Sequence, residues 1–219
     1  MVYSVRRNRP ARLLRFSAIV VLSIGVFSQS IPVRAATPAQ IDAARLAAIR
    51  WAIENQNGNG SWSGAGAGVL TDTSAVVDGL RHAGVDGFPY SRGITWLQNA
   101  DTGSVDGLSR QVMTLNSAAA DTAAGMQRLL GARNERELAW GTYPGYGASF
   151  PDTALALDAI RDTGTPYGDA GTTLGFIVFN QNVDGGWGDT DKSLSNIAAS
   201  MLVAAAFHLT GVPARYGGL

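Results

Sequence analysis

Gln56-Asn57-Gly58-Asn59-Gly60-Ser61-Trp62 returns 125 residues later as Gln181-Asn182-Val183-Asp184-Gly185-Gly186-Trp187. Both copies read Gln-Asn, any residue, Asn or Asp, Gly, a small residue, Trp. An apolar run of helical character precedes each copy, and a polar cap with a second apolar run follows it. A fixed phrase between two helical runs marks a repeat array of helical hairpins. Working outward, Ala39–Asn55 carries apolar residues at helical spacing: Ile41, Ala44, Ala48 and Trp51 on one line, Leu46, Ile49 and Ile53 on another. Asp72-Thr73-Ser74 reads as the cap of a second helix, whose stripe is Val76, Val77, Leu80 and Ala83 and whose stop is Gly84.

Three more units follow. Ser91–Asn99 ends in Gln98-Asn99, but Ser104 stands where Trp is due; its partner helix runs from about Asp106 through Leu115. The third unit begins near Asp121, carries a worn phrase from Arg133-Asn134 to Trp140-Gly141, and continues from Asp152 to Gly164. The fourth begins near Ala170, passes through the complete phrase, and ends with Ser195–Leu209. Asp72, Thr73, Asp78, Arg81 and Gly84 match Asp152, Thr153, Asp158, Arg161 and Gly164 without a gap, 80 residues on, a period near 40 over two units. The fold class expected is all-α, with about four helical hairpins each burying its apolar face against its neighbours.

Residues 1–35 stand apart. They hold six of the 17 basic residues (Arg6, Arg7, Arg9, Arg12, Arg15, Arg34) and no acidic one, followed by the apolar run Phe16–Phe27 and the small residues Val33 and Ala35 around Arg34. That is the layout of a secretory signal peptide, with an N-terminal membrane anchor as the competing reading. The expectation is a secreted or cell-surface protein with its helical domain at 36–219. Without the leader, 11 basic residues remain against all 17 acidic ones, a net charge of −6. No Lys/Arg cluster remains to meet phosphates, which argues against nucleic acid as a partner. The chain has no cysteine, so disulfides, cysteine-held zinc and cysteine nucleophiles are excluded.

The phrase, a Gln followed after a short polar stretch by Gly and Trp at a helix–loop boundary, resembles the repeat motif of squalene/oxidosqualene cyclases and protein prenyltransferases. Asp152-Thr153-Ala154-Leu155-Ala156-Leu157, after the Gly- and Tyr-rich loop 141–147, is similar to bacterial proteins built from such repeats. The resemblance covers roughly 38–211 and implies an α/α toroid, or an open arc of one, in which Gln56, Gly60, Trp62, Gln181, Gly185 and Trp187 are the structural repeat residues tying neighbouring helices together. Its catalytic residues do not carry over. The cyclases' Asp-x-Asp-Asp stretch is missing, and the prenyltransferases' zinc needs a cysteine this chain lacks. Family toroids close with more hairpins than four, so a homo-oligomer completing the ring is one expectation.

Candidate site residues are few. Asp78 and Asp158 lie six residues beyond the expected caps, where a carboxylate gets no help from the helix N-terminus. They read either as partners of Arg81 and Arg161, three residues on, or as catalytic acids on an inner wall. Trp140, Tyr143, Tyr146 and Phe150 form an aromatic cluster suited to a sugar or an isoprenoid chain. Asn57, Asn59, Asp184, Asp189 and Asp191 supply oxygen ligands but match no EF-hand loop, and they read as turn residues; no metal and no cofactor is expected. The function expected is a non-catalytic binding or scaffold module for a small hydrophobic or glycan ligand, or for a protein at the cell surface. The alternatives are a terpenoid cyclase/prenyltransferase-like enzyme and a carbohydrate-binding or carbohydrate-active toroid.

Overall fold

The computed structural model describes residues 35–209, apart from Ala65, Ala67 and the side chains of His208 and Leu209. The expected signal peptide lies almost entirely outside the described residues. The chain divides after Thr37, and eight described helices follow: α1 (Pro38–Glu54), α2 (Gly68–His82), α3 (Phe88–Asn99), α4 (Val105–Ser117), α5 (Ala123–Gly131), α6 (Phe150–Asp162), α7 (Ala170–Phe179) and α8 (Ile197–Leu209). Among the described residues there is no strand, only an isolated antiparallel bridge between Asn134 and Ala139, and no helix is long and apolar enough to cross a membrane. The protein is all-α, four hairpins in order.

The second helix of each hairpin packs against the second helix of the next, giving a row α2, α4, α6, α8, with α3 lying against α2 and α4, and α5 against α4. Two apolar clusters form along this row. One gathers Trp62, Leu70, Val77, Leu80 and Leu97 with Leu115 of α4. The other starts further back along α4, with Leu108 and Val112, and runs through Trp140, Phe150, Ile160 and Ile177 to Trp187 and Val203. Amphipathic periodicity builds the row because each second helix must bury apolar side chains on two flanks.

Three of these helices stop in the same way. Val85 N–H reaches Leu80 C=O at 2.9 Å, Ala120 reaches Leu115 at 2.9 Å and Thr165 reaches Ile160 at 3.0 Å. Each such Schellman turn needs a left-handed residue just past the helix. Gly84, Ala119 and Gly164 fill it, at φ of +75°, +54° and +65°; Ala119 does so against its own Cβ.

Several expectations change. Helix α2 begins at Gly68, so Asp72 is an exposed residue in its second turn and not a cap. Helix α6 is capped by Ser149, whose Oγ accepts from Asp152 N–H, which places Asp152 in the first turn. Helix α1 buries none of the residues on its two apolar lines. Trp51 is 63% exposed, and only Ile49 and Ala52 lean on the core.

Candidate functional site

The repeated phrase is a three-way clasp. In units one, three and four the indole N–H of the Trp donates to a carbonyl in the last turn of the first helix: Trp62 to Ala52 (2.6 Å), Trp140 to Leu129 (2.7 Å), Trp187 to Ile177 (2.9 Å). Those carbonyls are among the four that a helix end leaves without an intrahelical donor. The same Trp is pinned through its backbone to a hydroxyl on the second helix. Trp140 N–H donates to Thr153 Oγ1 at 3.0 Å, and that hydroxyl donates back to Trp140 C=O at 3.0 Å. Thr73 does this for Trp62 and Ser200 for Trp187. The loop closes on the Asn of the phrase, whose N–H reaches the residue before the Trp: Asn57 to Ser61, Asn134 to Ala139, Asn182 to Gly186. Two residues before each Trp the backbone is left-handed, at φ +98° for Gly60, +52° for Leu138 and +83° for Gly185, which explains the Gly of the phrase.

The Gln has another job than capping the helix. Gln56 amide donates to Gly60 C=O (2.9 Å) and to Pro89 C=O of the next unit (2.8 Å); Gln181 donates to Gly185 C=O (2.7 Å). In unit two, where Ser104 stands in place of the phrase Trp, Gln111 replaces it from the second helix. Its amide donates to Leu97 C=O and, at 3.0 Å, to Ala100 C=O, and its Oε1 accepts from Arg128 at 3.0 Å.

A cleft of about 710 Å³ opens beside this unit. The phrase loop of unit one forms one wall with Asn57, Asn59 and Ser63. The short 101–104 loop of unit two lies opposite, and Trp96 and Tyr143 contribute rings. Its volume falls within the usual ligand-pocket range of about 300–1,000 Å³. The one charged residue lining it is Asp101, held by Arg128 at 3.2 Å. Much of the polar wall is already engaged: Asn57 donates to Ser61 and Ser63, and Asn59 Oδ1 accepts from Ser61. Asn59 Nδ2, Trp96 Nε1 and the Tyr143 hydroxyl make no hydrogen bond among the described residues, leaving three donors for an incoming molecule.

The aromatic cluster at 140–150 divides. Trp140 and Phe150 are 0% and 1% exposed and belong to the core, so neither offers a face to a ligand. Tyr143 and Tyr146 are at the surface with ring centroids 5.6 Å apart, and only Tyr143 reaches the cleft. Sequence reasoning missed Trp96, whose ring is overlooked because it sits inside a helix.

Asp78 and Asp158 are not brought together, and neither lines the cleft. Asp78, on α2, accepts from Thr114 Oγ1 of α4 at 3.0 Å and lies 4.0 Å from Arg81. Asp158, on α6, lies 3.9 Å from Arg161 with its side chain 16% exposed. Burial pushes the Asp158 carboxyl above the ordinary range, while Arg161 pulls it back down. Among the described residues no three His, Cys, Asp or Glu side chains gather as a metal site. Asp184 instead accepts from Ser195 and from Gly186 N–H, which hold its carboxyl below the ordinary range, and Asp189 accepts from Asn196.

No protein-family model matches this chain, and no curated protein matches it either.

Proposed function

We propose that this chain is an exported, non-catalytic binding module, built from repeats of the squalene-cyclase/prenyltransferase kind, and that the cleft between the loops of units one to three is its ligand seat. The observation that carries this is the character of the cleft: neutral polar side chains, two aromatic rings, and one carboxylate already paired. A cleft of that kind suits a neutral glycan better than an isoprenoid chain. Ring faces cover the C–H side of a sugar, and the unengaged donors of Asn59, Trp96 and Tyr143 meet its hydroxyls. A prenyl diphosphate would find no cation among the described residues that line the cleft.

A glycan array followed by calorimetry tests this. Wild type is expected to bind a neutral saccharide, Tyr143→Ala to weaken binding tenfold or more at unchanged melting temperature, and Trp96→Ala to weaken it as much while lowering the melting temperature, since Trp96 also packs against the first apolar cluster. A blank array, or variants that bind as wild type does, overturns the reading.

The raised carboxyl of Asp158 favours one second reading, a general acid acting on an apolar substrate. Turnover of squalene or a prenyl diphosphate, abolished in Asp158→Asn, would support it over the binding module.

A further inference from the structure

Each internal boundary between hairpins is built alike. Four residues before the carbonyl that is capped at the end of its first helix, the incoming unit places a small side chain on the unit before it. In α3 this is Gly93, so close that a Cβ would come within 2.7 Å of Val77 and 2.8 Å of Trp62. Gly125 of α5 sits the same way on Val112, where a Cβ would come within 2.9 Å. In α7 it is Thr173, fully buried, whose hydroxyl donates to Leu138 C=O of unit three at 2.6 Å. An arginine of the incoming first helix crosses the first two boundaries, and at the third Arg133 of unit three reaches forward instead. Arg92 donates to the carbonyls of Asn57 and Gly58, Arg128 to Gln111 and Asp101, Arg133 to Tyr167 and Asp169.

The two ends of the row carry the halves of one more such boundary. At the front, Ala48 of α1 lies four residues before Ala52, the carbonyl capped by Trp62, and it is exposed. Around it Ile41, Leu46 and Trp51 are more than half exposed, and Arg45 and Arg50 form no ion pair among the described residues. At the back, Ile197 and Met201, one turn apart on α8, are 84% and 64% exposed beside a groove of about 350 Å³ whose rim carries Asp184. Gln181 makes the bond to its own loop that Gln56 makes, and no counterpart of the bond from Gln56 to Pro89 of a following unit.

We propose that the chain assembles head to tail, α1 of one copy seating on α8 and the 184–197 loop of the next as α3 seats on α2 and the phrase loop of unit one. The occupant is a second copy because the internal boundaries specify what covers this face: a first helix with a small residue at the Ala48 position, as Gly93, Gly125 and Thr173 are. Repeat arrays ordinarily finish in polar caps, whereas α1 and α8 both expose large apolar side chains. A head-to-tail contact is heterologous, so it closes into a ring or extends into a filament.

Light scattering on the purified chain, with and without residues 1–35, tests this. The mass is expected to be at least twice that of one chain in both forms. Ala48→Arg and Met201→Glu, both at exposed positions, are each expected to reduce it to the mass of one chain, while circular dichroism shows the helices intact. Mixing the two variants is expected to restore a 1:1 pair that grows no further, because each retains one good end. A monomeric wild type overturns the proposal. So does a dimer lost in Met201→Glu but untouched by Ala48→Arg, the pattern of two α8 faces meeting about a two-fold axis.

Discussion

Replacing Thr153 by Val removes one oxygen from the centre of the third clasp and almost nothing else. The hydroxyl accepts from Trp140 N–H and donates to Trp140 C=O, both at 3.0 Å, and Thr153 and Trp140 are both 0% exposed. Without it the Trp140 N–H is buried with no partner, which costs about 1–3 kcal/mol. The carbonyl is less affected because Ser149 N–H also reaches it, at 2.8 Å, so its loss adds about 0.5 kcal/mol. The total is about 1.5–3.5 kcal/mol, a fall in Tm of about 3–14 °C for a domain of this size. Ser200→Ala should cost less, since that clasp is only part-buried. Thr95→Val is the control, its exposed hydroxyl bonding only to Ser91 C=O one turn back, and it should stay within about 0.5 kcal/mol of wild type. Urea unfolding followed by tryptophan fluorescence and by circular dichroism measures all three. If Thr153→Val is no more destabilising than Thr95→Val, the hydroxyl is not the pin of the clasp.

Two further outcomes are expected. Ala119→Gly relieves a left-handed alanine at φ +54° in the Schellman turn that Gly84 and Gly164 fill elsewhere, and should stabilise the protein by about 0.5–1 kcal/mol in the same unfolding assay; a loss of stability refutes the strain. Asp158, whose carboxyl is pushed up by burial from its ordinary 3.8, binds its proton more tightly folded than unfolded. Its contribution is therefore fully present below about pH 3.8 and is lost as pH rises through the folded value. Asp158→Asn should gain stability relative to wild type between pH 3 and pH 7, and a difference independent of pH would refute this.

The hairpins were legible because the phrase recurs in sequence and its glycines meet a backbone need. Thr73 and Thr153 were visible as an identical pair, but capping chemistry gave them the wrong neighbour: α2 already begins at Gly68 and α6 is capped by Ser149, and the hydroxyls face the Trp backbone instead of a helix N–H. Ser200 was hidden by the change of Thr to Ser. Gln111 gave no signal, because it supplies from α4 what the other units supply from the loop. Periodicity could not show that α1 stays uncovered, since a helix can carry an apolar line whether or not a neighbour lies against it. Nor could composition separate Trp140 and Phe150 from Tyr143 and Tyr146. Register could have done so, since Trp140 stands at the phrase position and Phe150 just after the Ser149 cap.

Unit two shows what the repeat requires and what it gives up. Every first helix ends with carbonyls that need a donor, and that need is met in all four units, three times by an indole and once by Gln111. A Trp in the loop must also have its own backbone satisfied by a hydroxyl across the hairpin. Counting back from the Schellman turns at Gly84, Ala119 and Gly164, the position of Thr73 and Thr153 is Leu108 in α4. Trp and hydroxyl are thus lost together, as a linked pair should be. With the Trp gone the loop shortens to 100–104, and the cap moves onto a helix face that is already rigid. The space that the longer loop would have filled lies between Asn57–Ser63 and Tyr143, where the 710 Å³ cleft opens. The most degraded repeat is therefore the one beside which the cleft opens, and the intact phrase of unit one, with Asn59 lining that space, is clasp and wall at once.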